Sequence, residues 1–318
     1  MPPSKIVIHS SQLKFTRILK TLIQSSLDAA DPGKAMKRLI IRKDQTLRVN
    51  SVRYDLSQFQ RIMCVGAGKA SAHMARTFEH ILGQYLEGGL VIVKDGYGAL
   101  TKKVRIVEAS HPLPDSRGVL ATKNILKMVG ALTKQDLLIV LLSGGASSLL
   151  CAPAPGLTLT DKRKTTKWLL QSGATIHELN TVRKHLSAIK GGQLAKTTKA
   201  QILTVIVSDV IGDDLATIGS GPTVPDPTTF QEAQTILKHY QIWNTVPESV
   251  RKHLEQGIQA GELVDINRLL TQDQQAHIAA VFAQTGFENL TSAKELLGDL
   301  FDYGLLRLFR AIHGKKGQ

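Results

Sequence analysis

Four short stretches of this 318-residue chain place glycines, hydroxyls, cations or carboxylates directly after or close behind apolar runs, which is where anion chemistry is built in many folds. The first is Val65-Gly66-Ala67-Gly68-Lys69-Ala70-Ser71. Gly66 and Gly68 let the backbone approach a phosphate, amides at a helix start face an anion, and Lys69 adds a full positive charge. It is not a Walker A loop, because Met63 stands where the first glycine of GxxxxGKS/T would fall. Nor is GxGxxG complete, since Ser71 holds the third glycine position. A tight strand–helix turn without a ligand accounts for the same residues.

The second stretch, Ser143-Gly144-Gly145-Ala146-Ser147-Ser148, follows the run Leu137 to Leu142. Two glycines with Ser143, Ser147 and Ser148 offer several donors to phosphate or carboxylate oxygens without adding charge. The plain alternative is a helix start capped by Ser143. The third, Asn180 to Gly192, is predicted as a helix, with Arg183 and Lys190 two turns apart on one face and able to reach bound phosphates. A solvated face is the competing reading, and His185 reads as an ordinary histidine. The fourth is Val207-Ser208-Asp209-Val210-Ile211-Gly212-Asp213-Asp214. A strand-end aspartate beside other carboxylates suits a magnesium–nucleotide site, with Asp209 and Asp213 as metal ligands, or with Asp209 as a base toward a substrate hydroxyl. A turn or cap aspartate explains it as well. The loop Gly219 to Pro227 reads as rigid and structural. Four phosphate-compatible turns together point to phosphoryl chemistry.

The elements that must position these turns read as α/β. Short apolar runs at Ile62 to Val65, Leu90 to Val93, Val104 to Val107, Leu137 to Leu142 and Ile202 to Val207 suit strands covered on both faces, and so a parallel sheet. Helical stripes between them, Ala70 to Leu82 and Val119 to Val129, pack on that sheet. Ahead of them come an amphipathic helix over Leu13 to Ala30, a short helix over Lys34 to Ile40, and a hairpin joining Leu47-Arg48-Val49 to Val52-Arg53-Tyr54. After about residue 265 the composition shifts toward Gln and Ala, and Ser292 to His313 suits one amphipathic helix through Leu296, Leu297, Leu300, Leu305, Leu308 and Phe309.

Composition narrows the class. A hydrophobic content of 42% supports a full core, and the chain carries 40 Lys and Arg against 26 Asp and Glu, a net +14. Those basic residues are dispersed and do not interleave with aromatics, so no nucleic-acid partner is expected. No run approaches a membrane helix and Met1 to Ser10 has no apolar leader, so a cytoplasmic protein without membrane contact is expected. Cys64 and Cys151 stand in apolar contexts without metal spacing and read as buried thiols.

GAGKAS (66–71), SHPLPD (110–115), SGGASSLL (143–150), GATIHELNTVRKHLSAIKGGQLA (173–195) and VSDVIGDDLATIGSGPTVPDPTTF (207–230) closely resemble bacterial glycerate 2-kinases, in the same order and spacing. The resemblance runs from the first helix to about residue 265. It implies a Rossmann-like, doubly wound, mostly parallel sheet with flanking helices, and transfer of a phosphoryl group from ATP with Mg2+ to the 2-hydroxyl of glycerate. It implies that Lys69 is the active-site lysine and Asp209 a metal ligand or base. Gly66, Gly68, the Ser143 to Ser148 turn and Arg183 to Lys190 become phosphate or substrate contacts. Some relatives bear the name hydroxypyruvate reductase, which supplies an oxidoreductase alternative; a catalytically inactive nucleotide-binding remnant is the other. Two parts are expected: residues 1–265 as the glycerate-kinase-like domain, and 266–318 as a divergent helical tail where the family has a second domain carrying a further active-site arginine. A homo-oligomer, or a partner supplying that domain, are the two ways to complete such a site.

Overall fold

A computed structural model describes residues 13–260 and 270–301, with further helical residues at 305, 306, 309, 310 and 313. The described residues open with α1 (Leu13–Ala30) and α2 (Pro32–Leu39), the latter started by Asp31, whose carboxylate accepts from the Lys34 amide. The expected hairpin is there as β2 (Thr46–Val49) and β3 (Val52–Asp55), but β1 (Ile40–Lys43) pairs with β2 to make a three-stranded antiparallel sheet. The stretch Ile40-Ile41-Arg42-Lys43 carries no turn residues to separate it from α2, which is why only its partners were legible.

The central sheet has five parallel strands in the order β6-β5-β4-β7-β8: β4 (Arg61–Ala67), β5 (Gly88–Lys94), β6 (Val104–Ala109), β7 (Asp136–Ser143) and β8 (Gln201–Val207). This is the expected α/β fold. All eight residues of β7 are buried, as a strand covered on both faces requires. On one face α3 (Ser71–Leu82) and the small sheet enclose a core containing Met74, Phe78, Leu47 and Ile139. On the other, α4 (Ser116–Gly130) and α5 (Ala146–Leu149) enclose Ile125, Val129, Val140 and Leu149. The chain runs outward from β4 to β5 and β6, then returns through α4 to β7 and continues to β8. The direction of winding therefore reverses between β4 and β7. In open α/β sheets, ligands bind beyond the carboxyl ends of the strands at such a switch point.

Beyond β7 come α6 (Leu159–Gln171), α7 (Ile176–His185), α8 (Gln193–Lys196), α9 (Phe230–His239) and α10 (Glu248–Ala260). A third core, with Leu169, Val182, Leu237 and Leu254, joins α6, α7, α9 and α10. Sequence dictates several of these starts: Thr158 with Asp161, Thr175 with Glu178, and Thr229 with Glu232 each form a reciprocal capping box. α11 (Gln272–Thr285) begins the same way at Thr271 and Gln274, and with α12 (Leu290–Leu297) it buries a separate core around Ile278, Phe282 and Leu297.

Two helical expectations are corrected. The single helix over Ser292 to His313 is interrupted, because Gly298 at φ 60° ends α12 and a 3-10 turn, Gly298–Leu300, follows; Leu308 lies outside the described residues. The helix over Asn180 to Gly192 stops at His185, since Leu186 leaves the helical region and Gly191 and Gly192 take positive φ. The expected boundary at 265, and Met1 to Ser10, also lie outside the described residues. No helix among the described residues is long and apolar enough to cross a membrane. Cys64 and Cys151 are free and buried.

Candidate functional site

The first two turns, after β4 and β7, meet across the switch point. Gly66 lies inside β4, where a Cβ would collide with the Leu141 carbonyl of β7; the residue lets the two central strands close up. Gly68, at φ 135°, faces Ser143 in the same intolerant way. The amides of the first turn are spent within the protein: Gly68 donates to Ile92 O, Lys69 to Gly144 O (2.9 Å), Ala70 to Ser143 Oγ (3.0 Å) and Ser71 to Gly68 O. The expected cradle of N–H groups is therefore used to fasten one turn to the other. What the first turn offers an anion is the half-buried Lys69 ammonium.

Ser143 works as a cross-link rather than a helix cap. Its Oγ accepts from Ala70 N and bonds Ser71 Oγ (3.0 Å), while α5 starts at Gly145 with no side-chain cap. Gly144 and Gly145 then run close under three side chains. A Cβ on Gly144 would collide with the Asp209 carboxylate, whose Cγ is 3.0 Å from that position. A Cβ on Gly145 would lie 2.9 Å from both Cδ2 and Nε2 of His111 and 3.6 Å from Cε of Lys69. Lys69, His111 and Asp209, from the ends of β4, β6 and β8, thus converge on two adjacent glycines after β7. Ser148 is buried and bonds Gly145 O, so it braces the turn from within.

The loop carrying His111 is held at both ends. Asp115 accepts from Ser110 N and from Gly118 N at the start of α4, and Arg117 ties Asp115 to Asp95 after β5. Partial burial pushes the His111 pKa down, and the neighbouring Lys69 and Lys94 push it the same way. Both effects favour the neutral ring.

Below the second turn lies a cluster of cations. Lys190 is buried and donates to Ser147 O (2.7 Å), Ser147 Oγ (3.2 Å) and Gly219 O (3.3 Å). Arg183 NH2 reaches the same Ser147 carbonyl at 3.3 Å, and Ser147 Oγ also bonds Ser220 Oγ at 2.8 Å. The structure brings Arg183 and Lys190 together, but not as two positions on one helix: Arg183 is in α7 and Lys190 is in the loop after it. Lys190 has its three N–H groups on protein oxygens and ties the Ser147 turn to the Gly219 loop. Lys162 of α6 is buried beside them with Nζ on Leu186 O (2.7 Å). Burial holds all three cations below their ordinary pKa, Lys162 at about 8, and their mutual repulsion lowers Arg183's two neighbours further. The adjacent Lys184 pairs with Asp226, and His185, pushed to about 4 by burial, bonds Thr228 Oγ1.

Asp213 sits on an exposed turn at φ 50°, and among the described residues no group of three His, Cys, Asp or Glu side chains is gathered for a metal. Sequence reasoning missed His111, Lys162 and Ser220. The signal for His111 was in place: a histidine directly after a strand-forming run, inside the SHPLPD string.

Residues 18–255 match the family described as "Domain of unknown function (DUF4147)". The chain belongs to the DUF4147 family, that of the glycerate 2-kinases. It is 38% identical to the glycerate 2-kinase of Pyrococcus horikoshii over 294 residues, 89% of this chain and 66% of that protein. It is 46% identical to a putative hydroxypyruvate reductase of Agrobacterium vitis over 70% of this chain and 51% of that protein. The crystal structure of a Thermotoga maritima glycerate kinase superposes with a TM-score of 0.66 at 34% identity, covering 77% of this chain and 56% of that one. The DUF4147 chain described here thus spans between half and two thirds of these relatives. Residues 228–310 also match a "Helix-turn-helix domain", overlapping the DUF4147 match over 228–255 and straddling the boundary expected at 265.

Proposed function

We propose that this chain carries the nucleotide and phosphoryl-transfer machinery of an ATP-dependent glycerate 2-kinase. The observation that carries the reading is the convergence of Lys69 and Asp209 on Gly144 and Gly145 at the topological switch of a parallel sheet. The 2-hydroxyl oxygen of glycerate would bond to the γ-phosphorus of ATP as the bond to the β-phosphate oxygen breaks, the electron pair leaving on ADP and the hydroxyl proton passing to Asp209 as base or to solvent. Lys69 would neutralise charge on the transferred group. Arg183 and the hydroxyl-rich turn would orient phosphate or carboxylate oxygens, with Lys190 holding that turn.

Mg2+, which holds ATP oxygens and offsets their charge, usually takes only one or two protein carboxylates. Asp209 fits that requirement and Asp213 is the second candidate. The division at 265 is kept as a proposal, as is completion of the site by a second copy or a partner. Among the described residues of the tail, α11 and α12 carry Asp273 and Glu295 against Lys294, not the basic face that duplex phosphates require, so the proposal includes no nucleic-acid contact by these two helices.

The test is ATP-dependent phosphorylation of D-glycerate by the purified chain, alone and with the remaining portion of a relative added in trans, using Lys69→Ala as control. Turnover in either reaction that is lost in the variant supports the kinase. The name of the Agrobacterium relative favours a second reading, reduction of hydroxypyruvate. Nicotinamide oxidation with hydroxypyruvate, in place of ADP formation with glycerate, would overturn the kinase in its favour.

A further inference from the structure

Resting on the kinase reading, we propose that His111 is a further ligand-contacting residue of the site, its Nε2 bonding the same phosphate oxygens that Lys69 neutralises. The geometry is specific. Both the Nε2–Cδ2 edge of the ring and the Lys69 side chain border the space where Gly145 lacks a Cβ, at 2.9 and 3.6 Å from that missing atom. An oxygen drawn to Lys69 over this glycine therefore meets the imidazole edge as well. Any residue larger than glycine at 145 would fill that space and separate the two.

The ring is also anchored in a way that an incidental surface histidine is not. It follows directly on β6, and the loop is closed by Asp115 on Ser110 N and by the Arg117 bridge to Asp95. Its exposure is partial, so a hydrogen bond there is less diluted by water than one on the open surface. Partial burial and two lysines favour the neutral ring. A neutral donor adds direction to phosphate binding without repelling Lys69, which leaves charge compensation to the lysine and orientation to the histidine.

The experiment is calorimetric titration of the full chain with ATP and Mg2+, comparing wild type with Lys69→Ala, His111→Ala, His111→Gln and His111→Asn. Thermal unfolding of each variant reports on folding. A hydrogen bond to a charged phosphate corresponds to about 10-fold or more in affinity. The expected result is a loss of that size for His111→Ala. Recovery is expected in His111→Gln, whose amide nitrogen reaches the Nε2 position, and not in His111→Asn, which places its amide nearer Nδ1. ATP binding by wild type that is weakened in Lys69→Ala but unchanged in folded His111→Ala overturns this assignment while leaving the kinase reading intact. Equal weakening in His111→Gln and His111→Ala, with both folded, also overturns it, since shape rather than the Nε2 contact would then matter. Absence of ATP binding by wild type overturns the nucleotide reading and the contact with it.

Discussion

Replacing Lys162 with Met should stabilise this protein at neutral pH, against the usual rule that core substitutions destabilise. Lys162 is 7% exposed and its pKa falls from 10.5 to about 8, mainly because burial penalises the ammonium and further because Arg183 repels it. At about 1.4 kcal/mol for each tenfold in the proton equilibrium, keeping that charge in the folded chain costs about 3 kcal/mol. The substitution removes one hydrogen bond, from Nζ to Leu186 O, but that carbonyl also accepts from Ala154 N at 3.1 Å and keeps a partner. Allowing about 1 kcal/mol for the lost bond, Lys162→Met should be about 2 kcal/mol more stable at pH 7. The pH dependence has a definite sign. Between pH 8 and 10.5 the unfolded chain binds the proton that the folded chain has released, so wild-type stability rises through this window. Lys190, depressed by burial and by the Arg183 and Lys162 charges, adds a rise of the same sign that is smaller in the variant, where the Lys162 repulsion is gone. Urea unfolding of wild type and variant at pH 7 and pH 10.5 should therefore show a gap in favour of the variant that closes at the higher pH. A variant no more stable than wild type at pH 7, or a gap independent of pH, would refute the claim that an uncompensated charge is buried there.

Two further substitutions probe the glycine turn after β7 and the buried ion pair at the start of that strand. Gly145→Ala forces a side chain into φ 91° and against the His111 ring, so we expect about 1–2 kcal/mol of lost stability together with weaker ATP binding, read by thermal unfolding and calorimetry. Asp136 opens β7 fully buried, with Arg61 Nε and NH2 and the Thr133 amide and hydroxyl on its oxygens, and its pKa is held at about 2. Because the folded value lies below the ordinary 3.8, the associated stability is present above pH 3.8 and lost as pH falls toward 2; Asp136→Asn should cost about 2 kcal/mol at pH 7, with the difference shrinking through that acid window in denaturant titrations.

The five strands of the central sheet were legible because their signal is local: a buried parallel strand is a short apolar run, and each run here was followed by a turn or a helical stripe. The strand order was not in that signal, and the site depends on it. His111 and Lys69 are 42 positions apart in the chain, yet both border Gly145 because β4 lies beside β7 while the loop after β6 reaches in from the outer strand. No periodicity in either segment encodes that contact.

Arg183 and Lys190 show how a correct pairing can rest on a wrong geometry. Helical spacing brought them together in the sequence reading, whereas Gly191 and Gly192 at positive φ mark a chain that has already left the helix. Their shared target, the Ser147 carbonyl, is supplied by the turn after β7, packed beneath the loop that carries Gly219. The difference matters chemically. Two cations on one helix face would both point at solvent or ligand, but a lysine whose three N–H groups end on protein oxygens fixes two loops relative to each other and leaves Arg183 as the cation with donors to spare. Substitutions at 190 should therefore act on the shape of the site, and those at 183 on its ligand.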